Sequence, residues 1–224
     1  MATEQRTPPL RSSTYAASSP IRRLTGGGTT GNERLTAATG AILLILLAVI
    51  GVTILRLRPL LSVHLFVGVL LIPPVLLKMS STGYRFMRYY TADPAYRRKG
   101  PPAAALRVIA PMVIASTVAV LATGVVLLFA GPSSRDTWLP LHKASFIVWV
   151  AFTGLHVLGH LTELPSALRG DYARSSTLSG DVTGRSGRTL ALAGALIAGV
   201  VLAILVIPEF SAWLNGSNLF HHHG

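Results

Sequence analysis

The chain has 224 residues, half of them hydrophobic and only 12% charged, with a formal net charge of +12 and no cysteine. A soluble domain carries about 25% charged residues, so a water-soluble globular fold is excluded for the bulk of the chain. The missing thiols exclude disulfides, cysteine-ligated iron–sulfur clusters and covalent c-type haem attachment within it.

Residues 1–34 are rich in Ser, Thr, Pro, Gly and Arg and hold no apolar run, the composition of a disordered tail. Five apolar blocks follow, approximately Leu35–Leu55, Leu60–Met79, Leu106–Ala130, Trp138–Leu161 and Thr189–Ile207. Each approaches or exceeds the roughly 20 residues needed to cross about 30 Å of hydrocarbon. Each is expected to be helical, because a spanning segment must satisfy its own backbone hydrogen bonds. The first block is too long for a signal-peptide core and lacks a small-residue cleavage pattern after it, so it is expected to remain as an uncleaved span. The Pro73-Pro74 pair is expected to kink the second span.

The expected fold class is an all-α integral membrane protein. It comprises a cytoplasmic tail (1–34), a four-helix transmembrane domain (35–162), a cytoplasmic loop (163–188), a fifth transmembrane helix (189–208) and an extracytoplasmic tail (209–224). A net positive charge would suggest nucleic acid in a soluble protein. Here the distribution along the blocks explains it. With the N-terminus inside, sixteen of the 20 basic residues fall on the inner side, and only Arg56, Arg58, Arg135 and Lys143 fall outside. That bias predicts a multi-pass plasma-membrane protein with a cytoplasmic N-terminus and an extracytoplasmic C-terminus.

Two helix pairs resemble each other. "IGVTIL" (Ile50–Leu55) ends one helix and "LLSVHLFVG" (Leu60–Gly68) opens the next; "TGVVLL" (Thr123–Leu128) ends another and "WLPLHKAS" (Trp138–Ser145) opens its successor. Each hairpin places Gly-Val near its outer turn and a histidine at the start of the returning helix. A parallel repeat of this kind implies a pseudo-twofold axis along the membrane normal. Two such hairpins make a four-helix bundle in which His64 faces His142. Counted at about 1.5 Å per residue, Gly51, Gly124, His64 and His142 all fall roughly 7–11 Å below the outer surface. Two glycines and two imidazoles at one level predict a flat slot between helices, closed by two nitrogens.

No Asp or Glu lies within the first four spans. Zinc hydrolysis, di-iron carboxylate chemistry and proton relays all need acidic partners and are disfavoured. A b-type haem fits instead, since its iron takes two neutral imidazoles and its macrocycle binds non-covalently between helices. Against this stands a simpler role, in which each histidine packs on a neighbouring helix and bonds a polar group there. His156 and His160 lie deeper on the fourth span. His156 could serve a second haem, although the position related to it by the repeat is Lys78. His156 or His160 could instead contact haem propionates, a quinone head group or a neighbouring subunit, and the plainer reading is a helix end with two interfacial histidines. Lys78 itself reads as a boundary anchor that snorkels to water.

Hairpins with Gly on one helix and His on the next, followed by the His156/His160 segment, resemble bacterial membrane-embedded b-type cytochromes of the cytochrome b561-like and formate-dehydrogenase-gamma-like four-helix group. The resemblance covers about Leu35–Leu161 and carries the outer haem-iron ligands over to His64 and His142. It implies electron transfer with one haem b, or two in its di-haem members. It also implies a quinone and a separate catalytic subunit; the loop "STGYRFMRYYTADPAYRRKGPP" resembles one found beside molybdopterin oxidoreductases. The alternative function is a haem-free anchor or assembly subunit, and a lesser one is a transporter using His156 and His160.

The remaining signals have plain readings. Tyr84, Phe86, Tyr89, Tyr90 and Tyr96 interleave with Arg85, Arg88, Arg97, Arg98 and Lys99, which marks a lipid head-group zone; docking of a redox partner is the sharper alternative. Ala191, Ala195, Gly199 and Ala203 form a small-residue stripe that lets helices approach. His221, His222 and His223 make at most a weak metal-binding tail.

Overall fold

The computed structural model describes residues 28–97, 104–161 and 184–216, and no strand occurs among them. The helices in chain order are α1 (Gly28–Leu55), α2 (Leu57–Leu70), α3 (Ile72–Tyr90), α4 (Pro94–Arg97), α5 (Ala104–Ala130), α6 (Arg135–Leu161), α7 (Arg185–Leu205) and α8 (Ile207–Gly216). A short 3₁₀ turn (Pro132–Ser134) joins α5 to α6. The tail up to residue 27, the loop from 162 to 183 and the terminal histidines lie outside the described residues.

Five segments are long and apolar enough to cross a membrane: Gly28–Leu55, Leu57–Tyr90, Val108–Ala130, Pro132–Gly159 and Arg185–Leu205. The protein is thus an all-helical, multi-pass membrane protein. Its outward apolar side chains, such as Leu55, Ile45 and Ile147, suit contact with lipid.

The helices overrun the apolar blocks. α1 begins at Gly28, inside the stretch expected to be a tail, and α3 continues to Tyr90, well past Met79. The polar ends are helical because they pair with each other: Asn32 Nδ2 donates to the Ser81 carbonyl (3.0 Å) and Thr36 Oγ1 to Ser81 Oγ (3.0 Å). Beyond the fifth span the chain forms α8, where a tail was expected from 209 onward.

The proline pair interrupts the helical hydrogen bonding of the second span. α2 ends at Leu70 and α3 starts at Ile72, with prolines in its first turn. Leu71 between them keeps right-handed helical angles (φ −63°, ψ −25°), so the helix is interrupted without being turned back. Pro74 has no N–H, so the Leu70 carbonyl loses its helical donor. Gly199 of α7 packs on that carbonyl so closely that a Cβ there would collide with it. The small-residue stripe therefore finds its partner within this chain, at the helix break.

α7 lies against α2 and α3, and α1 closes the same group. Val69, Leu70, Ala203, Phe210 and Leu128 form the buried core. α8 folds back over the end of α5, burying Phe210 and placing Trp213 Nε1 to donate to the Leu128 carbonyl (3.1 Å). The second hairpin, α5 with α6, is a tightly packed pair that turns at Gly131, whose φ of 72° favours glycine. It meets the first group chiefly where α2 passes α5 and where α8 covers the hairpin turn.

Candidate functional site

His64 stands seven residues into the span that opens at Leu57, and His142 seven residues after Arg135. Both imidazoles are therefore about 10 Å along their helices from the hairpin turns.

Each imidazole is held by a threonine of the preceding helix. Thr53 on α1 is buried (1% exposed), and its Oγ1 lies 2.9 Å from His64 Nδ1. On the second hairpin, Thr123 Oγ1 of α5 lies 3.2 Å from His142 Nδ1. Hydroxyls have one proton, and here it is committed elsewhere: Thr53 Oγ1 donates to the Ile50 carbonyl (2.7 Å) and Thr123 Oγ1 to the Ala119 carbonyl (2.8 Å). With that proton directed to the carbonyl, each threonine oxygen can accept from Nδ1, the arrangement in which the imidazole is protonated at Nδ1. A neutral imidazole protonated at Nδ1 has its lone pair at Nε2.

The second site has an extra tie. Ser145 Oγ donates to the His142 carbonyl (2.9 Å) and lies 3.0 Å from Thr123 Oγ1. Two turns further along the same seam, Trp149 Nε1 donates to Thr117 Oγ1 (3.0 Å), and Phe146 stacks on Trp149.

The two glycines are placed differently. The His142 ring lies on Gly124, where a Cβ would come within 3.0 Å of its Cε1, so this glycine seats the imidazole of its own hairpin. Gly51 is exposed and has nothing within 4 Å of its Cβ position. His156 lies fourteen residues beyond His142, which sets it about 21 Å further along α6. Its Nδ1 is enclosed. His160 belongs to the last turn of α6, and its side chain lies outside the described residues.

Thr53, Thr123 and Ser145 are site residues that the sequence reading did not single out. Their signal was present: a threonine lies within two residues of each glycine, as "GVT" at Gly51–Thr53 and "TG" at Thr123–Gly124. A threonine in a helix ordinarily bonds its own preceding turn, and both do so here while also lying within hydrogen-bond distance of histidine.

Chemically, the arrangement offers two neutral nitrogen donors and no acid. No group of three or more His, Asp or Glu suited to a metal ion occurs among the described residues. No family model, curated protein or solved structure matches this chain.

Proposed function

We propose that this protein is a membrane electron carrier that holds one non-covalent b-type haem between its two hairpins, with His64 and His142 as axial ligands to iron. The observation that carries the reading is the matched pair of Thr–His contacts, each of which, with Nδ1 as the donor, would leave Nε2 for a metal. Histidine ligands in proteins almost always donate their second ring N–H in this way, which orients the ring and raises ligand basicity. When bound, the haem would supply a one-electron couple, with His64 and His142 holding it.

The chain's own residues then have distinct tasks. Thr53 and Thr123 hold the rings upright, Gly124 lets His142 lie back against α5, and the exposed backbone at Gly51 leaves room for a flat macrocycle. The aliphatic helices around them exclude water. Electrons would pass between a quinone pool and a partner oxidoreductase, of molybdopterin or another type. The distribution of basic residues supports a plasma-membrane location with the N-terminus cytoplasmic and the hairpin turns outside. A second haem at His156 lacks a counterpart histidine, since Lys78 stands at the related position.

One observation favours a second reading, a haem-free anchor or assembly subunit: each imidazole is already bonded within its own hairpin, as a packing histidine would be. A visible spectrum of the detergent-purified full chain, expressed with ample haem, separates the two. The electron-carrier reading expects a Soret band with sharp reduced α and β bands, abolished by His64→Ala or by His142→Ala. A colourless wild-type protein overturns it in favour of the anchor.

A further inference from the structure

Lys78 is set differently from an anchoring lysine. Its ammonium turns back across α1, where Nζ donates to the Thr36 carbonyl (2.7 Å) and lies over Gly40, 3.1 Å from where a Cβ would stand. Ser81, buried at 6% exposure, closes the seat by donating to the Lys78 carbonyl (3.0 Å) and accepting from Thr36. Asn32 seals the next turn through the Ser81 carbonyl.

An ammonium carries three donors, and the Thr36 carbonyl takes one. No carboxylate among the described residues pairs with Lys78. The acid of α1, Glu33, faces Arg85 at 3.8 Å, and Asp93 faces Arg88. A cation withdrawn from bulk water without a counter-charge is costly, and proteins offset that cost with an anion or strong acceptors. Depth indicates where the anion comes from. Lys78 follows Leu57 by 21 residues, a rise of about 32 Å against a hydrocarbon core of about 30 Å. Lys78 thus stands at the hydrocarbon boundary of the leaflet opposite the hairpin turns, next to its lipid phosphates. Arg85, two helical turns on and half-exposed, extends the positive line on the same face of α3.

We infer that the seat formed by Lys78, Gly40, Thr36 and Ser81 between α1 and α3 binds the phosphate of an anionic phospholipid. The two remaining ammonium protons donate to phosphate oxygens, a charge-assisted contact stronger than one between neutral groups. This site is independent of the haem, so neither proposal depends on the other.

The test uses the full chain in detergent, supplied with phosphatidylglycerol or phosphatidylcholine, with retained lipid counted by native mass spectrometry and stability followed by thermal melting. Wild type is expected to retain phosphatidylglycerol preferentially and to melt higher with it. Lys78→Met is expected to weaken that preference on the order of fivefold or more, the loss of one lysine's attraction to an anionic lipid surface. Lys78→Arg should keep most of it. Gly40→Val, which pushes the ammonium out of its seat while retaining the charge, should weaken it as well and serves if Lys78→Met does not fold. Equal retention of the two lipids by wild type overturns the inference, as does an undiminished preference in either Lys78→Met or Gly40→Val. So does inorganic phosphate that stabilises as well as the lipid, which would make the ligand a free anion.

Discussion

The two hairpins carry the same threonine–histidine bond in different surroundings. In the first, α1, the interrupted α2–α3 helix and α7 enclose one another, and Thr53 is buried. In the second, α5 and α6 pack closely on each other, while most of their outer surface is left to lipid or to another molecule. The difference teaches that the bond does not follow from burial. It follows from a shared arrangement of a hydroxyl and an imidazole near a hairpin turn, which both halves keep while the rest of their packing diverges.

The sharpest way to break this comparison is at the contact only the first hairpin has. Gly199→Leu forces a side chain onto the Leu70 carbonyl, which is backbone and cannot swing aside. Overpacking typically costs about 1–3 kcal/mol and occasionally more, and this variant is expected at or above the upper end. Gly194→Leu on the same helix meets nothing within 4 Å and serves as the control. Thermal melts in detergent check the pair. Equal melting of the two variants would mean that α7 is not seated at the helix break.

Next in size comes the contrast between Gly124 and Gly51. Gly124→Val drives the His142 ring off α5 and is expected to destabilise the haem-free protein by about 1–3 kcal/mol. Gly51→Val projects into open space and is expected to leave that stability unchanged. Haem binding sharpens the contrast. If Gly51→Val, stable as it is, also loses the Soret band, the space beside Gly51 belongs to the cofactor. A stable, fully coloured Gly51→Val variant would place the macrocycle elsewhere.

Smaller again is the threonine pair. Thr53→Val leaves His64 Nδ1–H without an acceptor in a buried setting, and a polar contact between membrane helices averages about 0.6 kcal/mol, rising to about 1–2. The upper part of that range is expected here. Thr123→Val is expected to cost less, because Ser145 Oγ stands 3.0 Å from the vanished hydroxyl and can turn to the imidazole. Thr123→Val combined with Ser145→Ala should restore parity with Thr53→Val. Chemical denaturation in mixed micelles measures all three. A cost for Thr123→Val alone equal to that of Thr53→Val would show that Ser145 offers no substitute.

What the sequence made legible follows the same division. The five spans stood out because about 20 apolar residues in a row have few other uses, and the prolines at 73 and 74 located the helix break to within a few residues. The helical ends did not stand out. "TTGNER" and "SSTGYRFMRYY" look like loop by composition, and their helicity rests on Asn32, Thr36 and Ser81 meeting across the seam, a tertiary fact. His64 and His142 were visible because imidazole is rare in lipid. Their threonines were not, since threonine is unremarkable in a span until its partner is known. Lys78 was read as a snorkelling anchor because single-helix reasoning cannot see Gly40 opposite it.

The smallest expected effect lies where the first hairpin ends and the second has no equivalent described. After α3 the chain turns at Ala92, whose φ is 65°, held by the Arg88–Asp93 ion pair and by Asp93 Oδ1 accepting from the Ala95 N–H (2.9 Å). This folds α4 back so that Tyr96, 8% exposed, sets its ring edge-on to Tyr84 at 6.2 Å. Burial chiefly, with Tyr84 beside it, pushes the Tyr96 phenol above its ordinary value. A raised folded-state value means the unfolded chain gives up the proton first. The contribution of Tyr96 to stability is therefore fully present below the usual tyrosine range near 10, and is lost as pH rises through the folded value. In a tyrosinate absorbance titration of the folded protein, Tyr96 is expected among the last phenols to ionise, and Tyr96→Phe should remove that late component. A titration whose late phase survives Tyr96→Phe would mean that α4 does not stay folded against α3, and the end of the first hairpin opposite its turn would then be as open as the flanks of the second.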